Sequence, residues 1–301
     1  MTDTVIRHLT AGEEHLFRRL PDSAVIGRAA FGLPRWASLA EGGEYRLDWT
    51  WVALRDGVVV ARAAWWAGPG DTEPKALDWF DFTDAEAAAE LLRTAPLRAE
   101  LMLQLPSGWR ELPGVREQAQ AVIDAAGAAG MQPFVERYQY EWTTADGVPE
   151  RPGRLTFRPE PDEDAIYEVL LRVEQGSLDA HARRDAEEGG IELAAREELE
   201  FFKWCPSPPD WWQLAYDADG ELVGLHIPAR NQRDHIIGFI GIVPEQRGHG
   251  YAYDLLVECT HVLVAAGAEK IVAATDVPNT PMARNFAKAG YPVAHERYYM
   301  Q

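Results

Sequence analysis

Cysteine is nearly missing from this chain: Cys205 and Cys259 are the two among 301 residues. That is too few for a disulfide framework and fits a reducing, cytoplasmic setting. Long apolar runs are missing too. No stretch of about 18 uncharged hydrophobic residues occurs, so no membrane span is expected. The opening MTDTVIRHLTAGEEH carries acids and lacks the apolar core of a secretory signal. Positive charge is scarce, with 29 Lys and Arg against 48 Asp and Glu and a formal charge of −19. Such a surface repels phosphate backbones, which argues against nucleic acid and is compatible with a cationic or amine-bearing partner. The eight histidines show no H-x-H or HExxH spacing, so no metal site is expected. No G-x-S-x-G elbow occurs, and both cysteines read as small buried apolar groups.

Apolar residues, by contrast, are plentiful: 47% of the chain is hydrophobic and 11 residues are Trp. The length suits two domains, each able to bury its own core. Period-2 patterning predicts strands over 4–9, 76–82 and 98–105, with a hairpin over 48–66 turning at Arg55-Asp56-Gly57. Helices are expected over 12–20, 85–95 (capped by Thr83-Asp84) and 115–129, followed by an extended segment over 131–142. The polar, Gly- and Pro-bearing stretch TTADGVPERPG then reads as a linker, placing one domain at 1–143 and the other at 154–301, joined by 144–153. After it come strands over 154–158, 211–216, 221–228, 235–243 and 270–275, a closing strand, and helices over 162–175, 248–266 and 280–288. The charged stretch 178–203 reads as one or two helices. Trp204, Trp211 and Trp212 flank a Pro-rich turn and suit core packing or an aromatic pocket.

The order of elements restarts after the linker. Ala129-Gly130 precedes Glu136-Arg137-Tyr138 as Ala289-Gly290 precedes Glu296-Arg297-Tyr298, an offset of 160 residues. Two tandem copies of one α/β (α+β) fold are expected.

The copies differ at one place. In the second, the strand ending FIGIV meets Pro244-Glu245 and then Gln246-Arg247-Gly248-His249-Gly250-Tyr251-Ala252, which opens a helix. Glycines let the backbone curl until several N–H groups converge, and the first N–H groups of a helix have no intrahelical acceptor. Together with the helix dipole they form an anion site suited to a pyrophosphate, with Arg247 as a positive charge at its rim. The equivalent place in the first copy reads Thr83-Asp84-Ala85-Glu86, without glycine and with acids that would repel phosphate.

This segment resembles the Q/R-x-x-G-x-G/A signature of the GNAT N-acetyltransferase superfamily, with Arg247, Gly250 and Ala252 in the signature positions. The resemblance implies domains built on a mixed, mostly antiparallel sheet flanked by helices. It implies acetyl-CoA as acyl donor, bound by Gln246, Arg247, Gly248, His249, Gly250, Tyr251 and Ala252. Ile242 and Val243 would bind pantetheine and polarise the thioester through their backbone, and Asn279, Met282 and Phe286 would line the same arm. Many members carry a Tyr general acid where this chain has Phe286, so Tyr251, Tyr253, Tyr298, Tyr299 or solvent would protonate the thiolate. For the base, His235, His226, Glu174 and Asp276 are candidates. The expected reaction is direct attack by a small-molecule amine on the thioester in a monomer or homodimer. A protein or peptide N-acetyltransferase and a non-catalytic CoA-binding protein are the alternatives.

Overall fold

The structure, a computed structural model, describes residues 4–23, 26–27, 35–68 and 70–301. It divides into two compact units. Unit 1 is the chain to Glu136 together with His295–Gln301, and unit 2 is Arg137–Ala294.

Unit 1 is built from β1 (Thr4–His8), α1 (Glu14–Phe17), β2 (Thr50–Arg55), β3 (Val58–Trp66), β4 (Ala76–Phe82), α2 (Ala85–Thr94), β5 (Leu101–Pro106) and α3 (Pro113–Ala128). The chain continues into β6 (Pro133–Thr143) and then β7 (Thr156–Pro159), α4 (Glu163–Glu174), α5 (Ala180–Gly189), α6 (Ile191–Trp204), β8 (Gln213–Tyr216), β9 (Leu222–Arg230) and β10 (His235–Ile242). It ends with α7 (Tyr251–Ala265), β11 (Lys270–Asp276), α8 (Thr280–Lys288) and β12 (Val293–Met300). Among the described residues each half thus runs through the same series of strands and helices, except that α4, α5 and α6 stand where the first half has α1, and the repeat read from the sequence is a repeat of fold.

The strand order in unit 1 is β1-β2-β3-β4-β5-β12 and in unit 2 is β6-β11-β10-β9-β8-β7. The last strand of each sequence half therefore completes the sheet of the other half: Tyr298 pairs with Leu103 and Arg137 with Asp276. Unit boundaries accordingly fall at 136/137 and 294/295, at or next to the two Glu-Arg-Tyr repeats, rather than at the 144–153 segment expected to separate the domains.

Local chemistry accounts for the elements. The β2–β3 hairpin turns through Asp56 and Gly57, both at positive φ (52° and 77°), as a type I′ turn requires. The 178–203 region breaks into α5 and α6 at Gly190, whose φ of 88° ends one helix and caps the next. Helix α1 is far shorter than the helix expected over 12–20. In unit 2, α4 and α6 pack on one face of the sheet with Trp212, Leu225 and Ile227, while β6, α7 and α8 enclose a second core around Trp142, Leu256 and Phe286.

Candidate active site

Strands β10 and β11 run parallel, yet they pair only at His235–Ile271 and Ile236–Val272. Beyond Ile236 they part, while β10 stays paired with β9 as far as Ile242, across a bulge at Gly238. A wedge opens in the middle of the sheet. Its walls show it: Ile237, Phe239, Ile240 and Ile242 are half-exposed and Ala274 is exposed, although all lie on central strands. The Val243 N–H donates to the Val223 carbonyl at 3.0 Å, so it is not free to meet a ligand, contrary to expectation. Because successive residues of a strand direct their N–H groups to opposite sides, the Ile242 N–H points away from β9, into the wedge.

The glycine loop lies at the open end. A single 3-10 turn, Pro244–Gln246, leads to Gly248 and Gly250 at φ 87° and 74°, and α7 begins at Tyr251 with no side chain capping it. A Cβ added at either glycine would meet nothing within 4 Å, so these residues serve backbone conformation and open space rather than internal packing. The loop is held from behind. Arg154 donates to the carbonyls of His249 (3.1 Å) and Gly250 (3.0 Å) and pairs with the buried Asp254 in the first turn of α7. In a trans peptide the N–H opposes the C=O, so the amides of Gly250 and Tyr251 face away from Arg154. His249 stacks on Tyr251 at 5.6 Å, and Gln246 Nε2 reaches Asp217 at 3.4 Å.

Arg247 has a different role from the expected rim charge. Its guanidinium donates to the carbonyls of Val173 (2.7 Å), Gln175 (2.7 Å) and Ile242 (3.2 Å). It therefore satisfies the C-terminal carbonyls of α4 and ties that helix end to the loop. Asn279 caps α8, its Oδ1 accepting from the Met282 N–H at 3.3 Å. Met282 packs at the edge of the core beneath α8, and Phe286 is buried in it, stacked on Tyr140 at 4.1 Å. Phe286 is thus a core residue rather than a lining of the wedge.

The candidate bases separate clearly. His226 is wholly buried on β9, donates from Nε2 to Gln213 Oε1 at 3.1 Å, and burial lowers its pKa to about 3: a core histidine. His235 stacks on Trp211 at 6.2 Å and lies where β10 and β11 are still paired, seven residues from Ile242, or about 23 Å along the strand. Burial and Arg230 lower its pKa. Tyr298 sits in the sheet of unit 1 and packs on Trp109, with burial raising its pKa.

Glu174 is the candidate that lies beside the loop's Arg247. It is the last residue of α4, 6% exposed, between the two carbonyls that Arg247 holds, and its Oε2 has no hydrogen-bond partner. Its neighbour Val173 packs on β10 so closely that a Cβ on Gly241 would fall 2.5 Å from Val173 Cγ1. Burial, then the charge of Asp179, raises the Glu174 pKa. Asp276, at the end of β11, accepts from the Ala180 N–H at 2.7 Å and pairs with Arg137 at 3.1 Å; Arg137 also holds Asp179 at 2.9 Å. Burial, then Asp179, raises the Asp276 pKa too.

One member of this group was missed in the sequence. Glu198 of α6 has its carboxyl desolvated and its pKa raised to about 8, by burial first and then by Glu174 and Asp179. Its signal was positional: Ala195, Glu198, Phe202 and Cys205 recur at helical spacing, and the other three are buried.

Unit 1 shows why its own wedge differs. There β4 and β5 pair only at Leu77–Leu101, but Gly27 fills the gap, exchanging backbone hydrogen bonds with Gln104 at 2.7 and 3.3 Å. The start of α2 is occupied by the Asp84 carboxylate, which accepts from the Ala87 N–H at 3.0 Å and pairs with Arg55.

The acetyltransferase (GNAT) family profile matches residues 178–291. A mycothiol acetyltransferase of Pseudarthrobacter chlorophenolicus is 30% identical over 189 residues, covering 57% of this chain and 54% of that protein. Another, from Arthrobacter sp. (strain FB24), is 26% identical over 187 residues with the same coverage. The chain spans about half the length of these curated relatives. The crystal structure of a GCN5-related N-acetyltransferase from Sphaerobacter thermophilus superposes with a TM-score of 0.53 at 18% identity, over 99% of this chain and 94% of that one. Among the described residues no helix is long and apolar enough to cross a membrane, and no cluster of His, Cys, Asp and Glu could hold a metal ion.

Proposed function

We propose that unit 2, where residues 178–291 match the acetyltransferase (GNAT) family profile, transfers the acetyl group of acetyl-CoA to the amine of a small molecule. The observation that carries this reading is the parting of β10 from β11 with an uncapped helix start at its mouth. The amides of Gly248 to Ala252 would take the pyrophosphate, and the pantetheine arm would lie along the exposed edge of β10. The Ile242 N–H would meet the thioester oxygen and stabilise the charge that develops on it; removing one such donor elsewhere costs about 100- to 1,000-fold in rate. The amine nitrogen attacks the thioester carbon, the C–S bond breaks, and CoA leaves as thiolate. Glu174 takes the proton from the attacking nitrogen. With Phe286 in the core, the thiolate collects its proton from solvent, which a thiol pKa near 8.5 permits at neutral pH.

Unit 1, with Gly27 in its wedge and Asp84 at its helix start, takes no acyl-CoA in this reading. The names of the curated relatives support acetyl transfer.

Calorimetric titration of acetyl-CoA tests the proposal. One site per chain with micromolar affinity, lost in Gly250→Asp, is the expected result. No binding overturns it. Binding without thiol release against any of a panel of primary amines would leave a CoA-binding protein that is not an enzyme.

A further inference from the structure

The segment that the sequence marks as a linker does not divide the units; it lies along a helix of unit 2. From Gly147 to Leu155 the chain belongs to no helix or strand. Trp142 Nε1 donates to the Gly147 carbonyl at 3.1 Å and fixes its start. His261 Nε2 donates to the Pro149 carbonyl at 2.8 Å, and Arg151 donates to both carboxylate oxygens of Glu258, at 2.5 and 3.2 Å. Arg154 then pairs with Asp254. The segment thus runs antiparallel to α7, one contact per helical turn. Asp254, Glu258 and His261 stand at i, i+4 and i+7, one polar stripe on a helix that buries Leu255, Leu256, Cys259 and Leu263.

These polar rungs, rather than close packing, hold the segment down. Beneath it lies a cavity of about 410 Å³, with Pro152, Gly153, Leu155 and Phe157 on one side and Asp254 and Glu258 of α7 on the other. The last rung is also the support of the glycine loop. Arg154 holds the carbonyls of His249 and Gly250, and its guanidinium lies 5.0 Å from the Tyr251 ring centre. Where that guanidinium sits depends on the backbone that carries it, which bends at Gly153 (φ 72°) just before it.

We propose that the segment 147–155 is a strap that presets the glycine loop, with Arg151, Glu258 and His261 as positioning residues for acyl-CoA binding. They act through Arg154 and do not touch the ligand. The inference rests on the reading of the loop as the phosphate site. A loop whose amides are already aimed loses less freedom when the ligand arrives, so affinity falls when the strap is released.

The test uses the full chain carrying Arg151→Gln and Glu258→Gln together. This cuts the middle rung without changing net charge, so a lost affinity is not an effect of the protein's field on a polyanion. His261→Ala cuts the first rung. Lys203→Gln, which breaks surface pairs with Glu163 and Glu200 that touch neither strap nor loop, is the control. Calorimetry with acetyl-CoA should show binding about fivefold weaker in the double variant and wild-type binding in the control. Glu258→Gln alone should also weaken binding, although it removes a negative charge that would repel the ligand. Amide nitrogen relaxation on the ligand-free protein should show lower order parameters at Gly248 and Gly250 in both strap variants than in the wild type. Unchanged affinity and unchanged order parameters in both strap variants overturn the proposal, as does an equal loss in Lys203→Gln. A wild type that binds no acetyl-CoA would sink the acyl-CoA reading of the loop, while the order parameters still decide whether the strap presets it.

Discussion

Arg154 donates to the Gly250 carbonyl at 3.0 Å, and this bond fixes which way the peptides of the glycine loop face. With its carbonyls held from behind, the amides have one direction left. The same guanidinium neutralises Asp254, which is 2% exposed, so Arg154→Ala leaves a buried carboxylate unpaired at a cost of about 3–5 kcal/mol. The double variant Arg154→Ala with Asp254→Asn should recover much of that stability, since the orphan charge is gone. It should not recover acetyl-CoA affinity, which is expected to stay at least about tenfold weak, equivalent to 1.4 kcal/mol. Melting curves and calorimetry on the single and double variants separate the two roles.

Gly250 sits at φ 74° with open space where a Cβ would be. Gly250→Ala should therefore cost about 1 kcal/mol of backbone strain and weaken acetyl-CoA moderately. Gly250→Asp adds a similar strain but also a carboxylate at the anion site, and binding should vanish with the fold intact. If both variants bind acetyl-CoA as the wild type does, the loop is not the phosphate site.

Asp84 does for α2 what a ligand would do for α7: it satisfies the helix start with an anion of its own. Asp84→Ala should destabilise unit 1 by about 1 kcal/mol through the lost cap. Binding stoichiometry should remain one acetyl-CoA per chain, because Gly27 still bridges Gln104 in the wedge. A second site appearing in this variant would show that Asp84 alone blocks unit 1.

Phe286 is 2% exposed and stacked on Tyr140 at 4.1 Å. Phe286→Tyr would push a hydroxyl into that core, where overpacking and an unpaired polar group cost about 1–3 kcal/mol. A lowered melting temperature without a gain in thiol-release rate is expected. A faster enzyme would mean that the ring reaches the wedge.

The sequence carried the loop legibly, because glycine at positive φ before a helix has few other uses and Pro244 marked the strand's end. It carried the repeated order of elements for the same reason that it carried the Glu-Arg-Tyr pair. What that pair could not show is pairing. Both copies are equally good edge partners, and only the three-dimensional register tells that Arg137 meets Asp276 and Tyr298 meets Leu103. Arg247 was misread because its partners are main-chain carbonyls some seventy residues away, which no residue type announces. Arg154 and Asp254, a hundred positions apart, were invisible on the same ground. Glu198 was in plain view, on the same helical stripe as the buried Ala195 and Phe202, but in a stretch so charged that it read only as helix.

Glu198 also makes a prediction about stability. Its folded-state pKa of about 8 lies above the ordinary glutamate value, near 4.3. Between those two the folded chain holds a proton that the unfolded chain has lost, so the group lowers stability progressively as pH rises from about 4 to about 8. Below that window the carboxyl is protonated in both states and contributes no difference. Glu198→Gln mimics the protonated form at every pH, so it should melt with the wild type at pH 4 and above it at pH 8, by at least about 1 kcal/mol. Thermal melts of both proteins at the two pH values decide it: equal melting temperatures throughout would mean that Glu198 ionises freely in water.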